Sequence, residues 1–438
     1  MNSKSKLWPA AVGVTAVSAL AIGLVAAPAA NAAPTDVISL GSGQIIDGSV
    51  LAIPNFAGLA ANGAATAQQI GTPPAGPAII ESSDPLDLSA VFGVVNVGAG
   101  NIPLLQNNGI IQVGAVSQYG KAVNDGSSEA FSGTVSGAPG LVTLPAGLPT
   151  SGDPAIPAAR ITAGTAAILG GADLVNLNLD ITTLAAAAKK DQGAAPQGAY
   201  AIAGVSAEVG GTIVGGVSTA INPLLNTANV ALTAVGLPIT NPLASGVVEI
   251  TEADLLAAAG VADLNSLPAG TDLVSFLPAA VSTKIQSILA TTLASTRAAV
   301  QALPDTLPPL NLPNLAKTTA LVAVTTLETA INGVVGGLTA SLVTPLGNAL
   351  TALVSAKVNV QETAPSGAFT QRALQVAIAG GSIATVNLAN ATVGPNLDAE
   401  AIPLVNTDTM AITGGVALLA LLTWLFVRSR RRTAVAAA

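Results

Sequence analysis

The chain contains no cysteine and no histidine. The first absence excludes disulfides, thiol nucleophiles and thiolate metal sites, so packing alone must hold the fold. The second removes the commonest general base and the usual zinc ligand, and neither a Ser-His-Asp triad nor a Cys-His pair can be assembled. Aromatic residues are scarce. Trp8 and Trp424 lie in apolar terminal runs, which leaves the body between them with Tyr119, Tyr200, Phe56, Phe92, Phe131, Phe276 and Phe369. Proteins that grip flexible partners with rigid side chains favour Tyr and Trp, and this body has little of either. Charge is sparse and one-sided. With Lys4, Lys6, Arg428, Arg430, Arg431 and Arg432 set aside, nine lysines and arginines stand against 23 acidic residues, a net charge of −14. Such a body repels nucleic acid and anionic lipid and has no basic stripe for phosphates, so no nucleic-acid partner is expected.

What is present begins with the last thirty residues. Met410 to Val427 carries no charge, and Arg428-Ser429-Arg430-Arg431-Arg432 follows at once. Eighteen helical residues at ~1.5 Å each nearly cross a hydrocarbon core of roughly 30 Å, and only a helix satisfies its own backbone there. The arginines place the tail on the cytoplasmic side. At the other end Lys4 and Lys6 precede an apolar run from Ala10 to Ala27, and Ala30-Asn31-Ala32 fits a signal-peptidase site. The expected organisation is a signal peptide 1–32, an exported ectodomain 33–398, a stalk 399–409, a transmembrane helix 410–427 and a cytoplasmic tail 428–438. Within the ectodomain, 33–216 reads as mainly β, 217–355 as mainly helical and 356–398 as terminal strands.

Periodicity supports that division. Asp36 to Val50 reads as a strand region punctuated by Gly41-Ser42-Gly43, Ala57 to Pro77 as loop, and Asp84-Pro85-Leu86 as the lead into a Val-rich strand ending at Val97. Asn124-Asp125-Gly126-Ser127 is a turn signal between two strand patterns and predicts a hairpin. Pro139 to Pro157 reads as loop. Val175, Leu177, Leu179 and Ile181 alternate with Asn176, Asn178 and Asp180, the pattern of a half-buried strand with a wet side. Tyr200 and Ile202 alternate, and Gly204 then shifts the phase to Val205, Ala207 and Val209, as a bulge does. Val217 to Leu232 is expected to be helical with a break at Asn222-Pro223. Val281, Ile285, Leu289 and Val300 trace one helix face, and Val324, Ile331 and Leu338 another that ends or kinks at Pro345. Thr370 to Ala379 and Ser382 to Val393 form a hairpin across a two-residue Gly380-Gly381 turn, which predicts that the chain returns to the first sheet and that the helices are an insertion. The fold class expected is α+β: a β-rich, sandwich-like ectodomain with inserted long Ala-rich helices, plus one C-terminal transmembrane helix.

Few residues suggest chemistry. Asn124 to Glu129 has oxygen ligands, but it lacks the twelve-residue frame of an EF-hand and is explained by a turn. Asp84 with Asp87, or Asp173 with Asp180, offers the two carboxylates that glycoside hydrolysis needs, yet no tryptophan is at hand to line a sugar cleft. Gly210-Gly211 and Gly215-Gly216 match neither a dinucleotide nor a P-loop pattern. Asn390-Ala391-Thr392 fits the glycosylation pattern but lies in an expected strand. No catalytic, cofactor-binding or metal residue is therefore assigned, and no cofactor is expected. Met410-Ala411-Ile412-Thr413-Gly414 resembles a sorting pentapeptide, so two attachments are open: membrane through Met410 to Val427, or sortase-made linkage to peptidoglycan through Thr413.

The ectodomain resembles the choice-of-anchor G family of actinobacterial cell-surface proteins. The resemblance rests on Gly43-Gln44-Ile45-Ile46-Asp47-Gly48, Pro85-Leu86-Asp87-Leu88, Gly114-Ala115-Val116-Ser117-Gln118-Tyr119, Leu267-Pro268-Ala269-Gly270-Thr271 and Ala391-Thr392-Val393-Gly394-Pro395-Asn396. It implies a secreted, envelope-tethered protein of a Gram-positive organism and carries no catalytic residues. The function expected is structural or adhesive and not enzymatic, at the cell surface; the alternative is a surface glycan hydrolase using paired carboxylates.

Overall fold

Mixed helix and antiparallel sheet build the body. The computed structural model describes residues 37–50, 64–70, 79–86, 93–97, 100–105, 111–113, 116–134, 141–144, 158–170, 172–307 and 312–396. The signal segment, the stalk, the span, the tail and Asp87 lie outside the described residues. In chain order the strands are β1 (Val37–Val50), β2 (Ala65–Ile70), β3 (Ile79–Leu86), β4 (Gly93–Val97), β5 (Gly100–Leu105), β6 (Ile111–Val113), β7 (Val116–Val123), β8 (Ser128–Gly133) and β9 (Ala159–Gly164). A helical turn, α1 (Thr165–Ile168), leads to β10 (Asn176–Lys190) and β11 (Gln197–Gly210). The helical block follows: α2 (Thr212–Thr233), β12 (Val248–Ile250), α3 (Glu252–Ala259), β13 (Thr271–Asp272), α4 (Leu277–Gln301), β14 (Thr306–Leu307), β15 (Leu312–Pro313), α5 (Leu315–Leu338) and α6 (Thr344–Leu353). The described chain closes with β16 (Val354–Thr363), β17 (Phe369–Ile378) and β18 (Ala384–Val393).

The terminal strands return to the first one. The first sheet runs β13-β16-β17-β18-β1-β2, with β18 antiparallel to β1 from Gly41↔Val393 to Val50↔Ala384. In the second sheet β10 is central. β11 pairs along one edge, while the other edge is shared by β8 on its C-terminal half and β9 on its N-terminal half. β1, β17 and β18 pack on β7, β8, β10 and β11, and one apolar core holds Leu177, Leu179 and Ile181 together with Leu374, Val376 and Ile378.

Close backbone approach explains the glycines of β1. A Cβ on Gly43 would lie 2.7 Å from the Tyr119 carbonyl oxygen and nearer still to that of Phe131, and one on Gly120 would lie 2.6 Å from that of Ala65. Gly41-Ser42-Gly43 therefore does not punctuate a strand; it sits inside one, where glycine lets the opposing sheet come near. The same tightness makes a strand of Ala185–Ala188, an alanine run that could equally be helix: all four are buried, and Leu141, Val142 and Leu144 cover one side.

Both sheets carry a fault in their pleat. On β10 the core-facing series Leu177, Leu179, Ile181 changes to Leu184, Ala186, Ala188, and β11 changes opposite it from Val205 to Ile202. Gly204 thus shifts the phase as expected, but Thr182 adds a matching residue on the partner strand, so the register is unchanged. Gly204 takes φ +66°, and its carbonyl accepts from Thr182 Oγ1 at 3.1 Å. In the first sheet the fault crosses four strands at Asn359, Ala373, Ala389 and Ile45, where ladder pairing skips one position; Asn359 and Ala389 take φ 53° and 52°. Buried amides satisfy the backbone there. Gln118 Oε1 accepts from Ile45 N at 2.7 Å, and Asn390 Nδ2 donates to Gln44 O at 3.0 Å.

Several local expectations change. β2 lies inside the stretch read as loop, and β3 extends through Pro85 as an edge strand, where a missing N–H is tolerated. Helix α2 begins at Thr212 and passes through Pro223, which is exposed, so water can reach the carbonyl it leaves unpaired. The β17–β18 connection spans five residues, since Ile378 pairs with Ala384, and it keeps Ile383 buried. Before Pro345 the helix widens into a π turn at Thr339–Val343, which absorbs the proline without ending the run. The second-sheet edge along β11 is closed by side chains: Asn265 Oδ1 accepts from Ile202 N and Glu252 Oε2 from Gly204 N.

Candidate functional site

Of the carboxylates considered for catalysis, Asp173 and Asp180 are held apart and already engaged. Asp180 forms a two-pronged ion pair with Arg160 (2.6 and 2.8 Å) across the β9–β10 ladder, and this raises the guanidinium pKa further. Asp173 accepts from Asn176 Nδ2 at 2.9 Å. Asn176 and Asp180 are four strand residues apart, roughly 13 Å at ~3.3 Å per residue, wider than the ~5–9.5 Å that glycoside hydrolysis uses. Asp84 stands opposite Gln118 on β3. Asp254 caps α3, accepting from Thr251 and from Lys284 at 2.8 Å. Asp305 pairs with Lys317, and Glu328 with Arg297. Among the described residues no three acids converge as a metal site would need.

The Asn124 to Glu129 segment is a hairpin turn. Asp125 Oδ1 accepts from Ser127 N at 2.7 Å, and Gly126 takes φ 93°. Asn390 is buried with both amide hydrogens engaged on backbone oxygens, so its sequon is not open to a transferase. Both tyrosine hydroxyls are engaged as hydrogen-bond donors. Burial and then the Glu81 carboxylate, which accepts from its hydroxyl, push the Tyr119 phenol up. Burial pushes Tyr200 up to about 12, with its hydroxyl donating to Leu264 O at 2.7 Å.

What remains is two polar sheet faces. The outward side of β9–β12 carries Arg160–Asp180–Ser206 in one row and Thr162–Asn178–Glu208–Glu249 in the next. Asn178 and Asp180 were legible from alternation; Arg160, Thr162, Glu208 and Glu249 became visible only with the register. The outward side of the first sheet carries Lys357–Gln375–Asn387–Asp47, Arg372–Asn390–Gln44 and Glu362–Thr370–Thr392–Ser42–Thr66. Within those rows Gln375 donates to Asn387 at 2.9 Å, and Thr370–Thr392 and Ser42–Thr66 share hydrogen bonds at 2.9 and 2.8 Å. Such rows of amides, hydroxyls and charged groups can bind polar ligands by hydrogen bonding.

Two helices among the described residues, Leu273–Gln301 and Leu315–Leu338, are long and apolar enough to cross a membrane by length and composition. Half of the first apolar stretch is buried in the protein, as in a soluble core helix, against 22% of the second. The outward side of α5 carries Leu315, Val322 and threonines whose hydroxyls donate back to the preceding turn.

The chain matches the family model described as a domain of unknown function (DUF8394) over residues 41–245 and 309–394, more than half its length. It belongs to that family. The DUF8394 match takes in most of both sheets, α2, α5 and α6, and leaves out 246–308, which carries β12, β13, α3 and α4. No curated protein and no solved structure matches the chain.

Proposed function

We propose that this protein is a non-catalytic component of the cell envelope, exported and held at the surface by its C-terminal apolar segment, with a structural or adhesive role. The observation that carries the reading is the uncharged run Met410 to Val427 followed at once by four arginines in five residues, together with the basic, apolar and Ala-x-Ala parts of the N-terminus. The resemblance to the choice-of-anchor G surface proteins points the same way. The retained span is the preferred attachment, since sorting at Thr413 would leave only thirteen apolar residues, Gly415 to Val427, as the hold-up segment. The engaged aspartates and the hydrogen-bonded polar faces favour a binding or scaffolding surface over a glycan hydrolase. Fractionation of the native cells tests this. The protein should sediment with membranes, dissolve in detergent, and lose its body to protease added to intact cells. Recovery in the soluble cytoplasm, or a body protected in intact cells, would overturn the reading.

A further inference from the structure

The chain leaves the body toward its C-terminal apolar run from an inner strand of the first sheet. β18 lies between β17 and β1, paired from Phe369↔Val393 to Ile378↔Ala384 on one side and from Gly41↔Val393 to Val50↔Ala384 on the other. An edge strand would offer one ladder against a pull on its end; β18 offers two. Just past the last ladder pair the exit is fastened again. Gly394 N donates to Leu40 O at 2.8 Å, and Asn396 Oδ1 accepts from Leu40 N at 3.2 Å. The side-chain amide thus supplies to β1 the acceptor that a further β18 residue would have supplied. Asn396 Nδ2 donates to Ser128 Oγ at 2.7 Å, a bond that reaches β8 in the second sheet. Ser128 is fully buried, which shields its end of that bond from competing water.

We propose that the exit segment 394–396 is a tension clamp: Asn396 fastens it to Leu40 of β1 and Ser128 of β8, so that force from the envelope attachment is shared between both sheets before β18 is strained. The inference rests on the reading that the body is tethered through its C-terminal segment. It holds whether that tether is a retained span or a linkage at Thr413. A tethered structural or adhesive body is pulled at this point whenever the partner it holds moves. A primary amide suits the task, because one rigid group offers an acceptor to one strand and a donor to another.

The test is single-molecule force spectroscopy on the full chain in detergent. The chain is held at constant force between a tag added after Ala438 and a thiol introduced as Thr291→Cys on the exposed side of α4; it has no cysteine of its own to compete. Lifetime under force reads the unfolding barrier. Asn396→Ala removes two hydrogen bonds and should shorten that lifetime about tenfold, and Ser128→Ala should shorten it by a smaller factor. Pulling instead between Thr291→Cys and Thr162→Cys on β9 leaves the C-terminal exit unloaded, and there Asn396→Ala should match the parent lifetime. Equal lifetimes for the parent and Asn396→Ala through the C-terminal tag would overturn the clamp. Equal shortening along both axes would overturn it too, since that marks a general loss of stability. Fractionation of native cells reports on the tether separately: protein found in the soluble cytoplasm would remove the tether, while the force measurement would still decide whether the clamp exists.

Discussion

Glycine-to-alanine changes at two positions should move stability in opposite directions. At Gly43 the added methyl would lie 2.7 and 2.8 Å from the Tyr119 carbonyl oxygen and amide nitrogen, and closer still to the Phe131 carbonyl. Ordinary contact begins at 3.4 Å, so β1 must move away from β7 and β8. Both are backbone, and no side chain can rotate aside. Overpacking of this kind costs about 1–3 kcal/mol, and the rigid neighbours place Gly43→Ala near the upper end. At ~2.1 cal/mol/K of melting entropy per residue, a unit as long as Pro34–Asp398 shifts about 1–2 °C per kcal/mol and should melt roughly 3–5 °C lower. Gly216 lies exposed within α2 with nothing near its would-be Cβ, so Gly216→Ala should gain about 0.5–1 kcal/mol from reduced unfolded-state freedom. Thermal melts followed by circular dichroism compare the two variants directly. A Gly43→Ala protein that melts within about 1 °C of the native one would refute the close-approach argument.

Leu177→Asp should unfold the body by placing an unpaired charge in the core, a loss of about 4 kcal/mol or more, whereas Asn178→Val on the wet side should shift the urea midpoint little. Tyr200 keeps its proton more tightly folded than unfolded, since burial lifts its phenol to about 12 from roughly 10. Its contribution is therefore whole below about pH 10 and is lost as pH rises through about 12; Tyr200→Phe should flatten the alkaline decline seen in pH-dependent denaturation, and an equally steep decline would contradict this. Burial alone would raise Asp254, but the bonds from Lys284 and Thr251 outweigh it and hold the carboxyl below its ordinary value. Its stabilisation is present above about pH 4 and lost as pH falls further. Asp254→Asn should cost about 1 kcal/mol at neutral pH, measured by urea denaturation, and should reduce the acid-side loss.

Alternation and helical spacing located most of the elements. The Val175 to Ile181 strand, the Asn124 to Ser127 hairpin, the two long helices and the terminal strands were readable because each buries one face, and a buried face imprints its period on the sequence. The pleat faults were not readable in full. At Thr182 and Gly204 both strands gain a residue together, so each sequence shows a lapse in alternation while the pairing between them shows none. Asn359 and Ala389 take a left-handed backbone without glycine to announce it. Gly41 and Gly43 looked like punctuation because what they accommodate is another strand some eighty residues away. The polar faces were half legible for a related reason: Asn178 and Asp180 marked a wet side, but their neighbours Arg160 and Glu208 are set by register, which a single strand does not contain.

The measurement that bears most directly on envelope attachment is mass spectrometry of the C-terminal peptide from protein isolated out of native cells. A retained span predicts molecules that end with the intact tail, including Thr433 and Ala434, and that are released by detergent rather than by muralytic enzymes. Thr413→Ala should leave that result unchanged. Molecules ending at Thr413 and carrying a cell-wall remnant would contradict the membrane-held account.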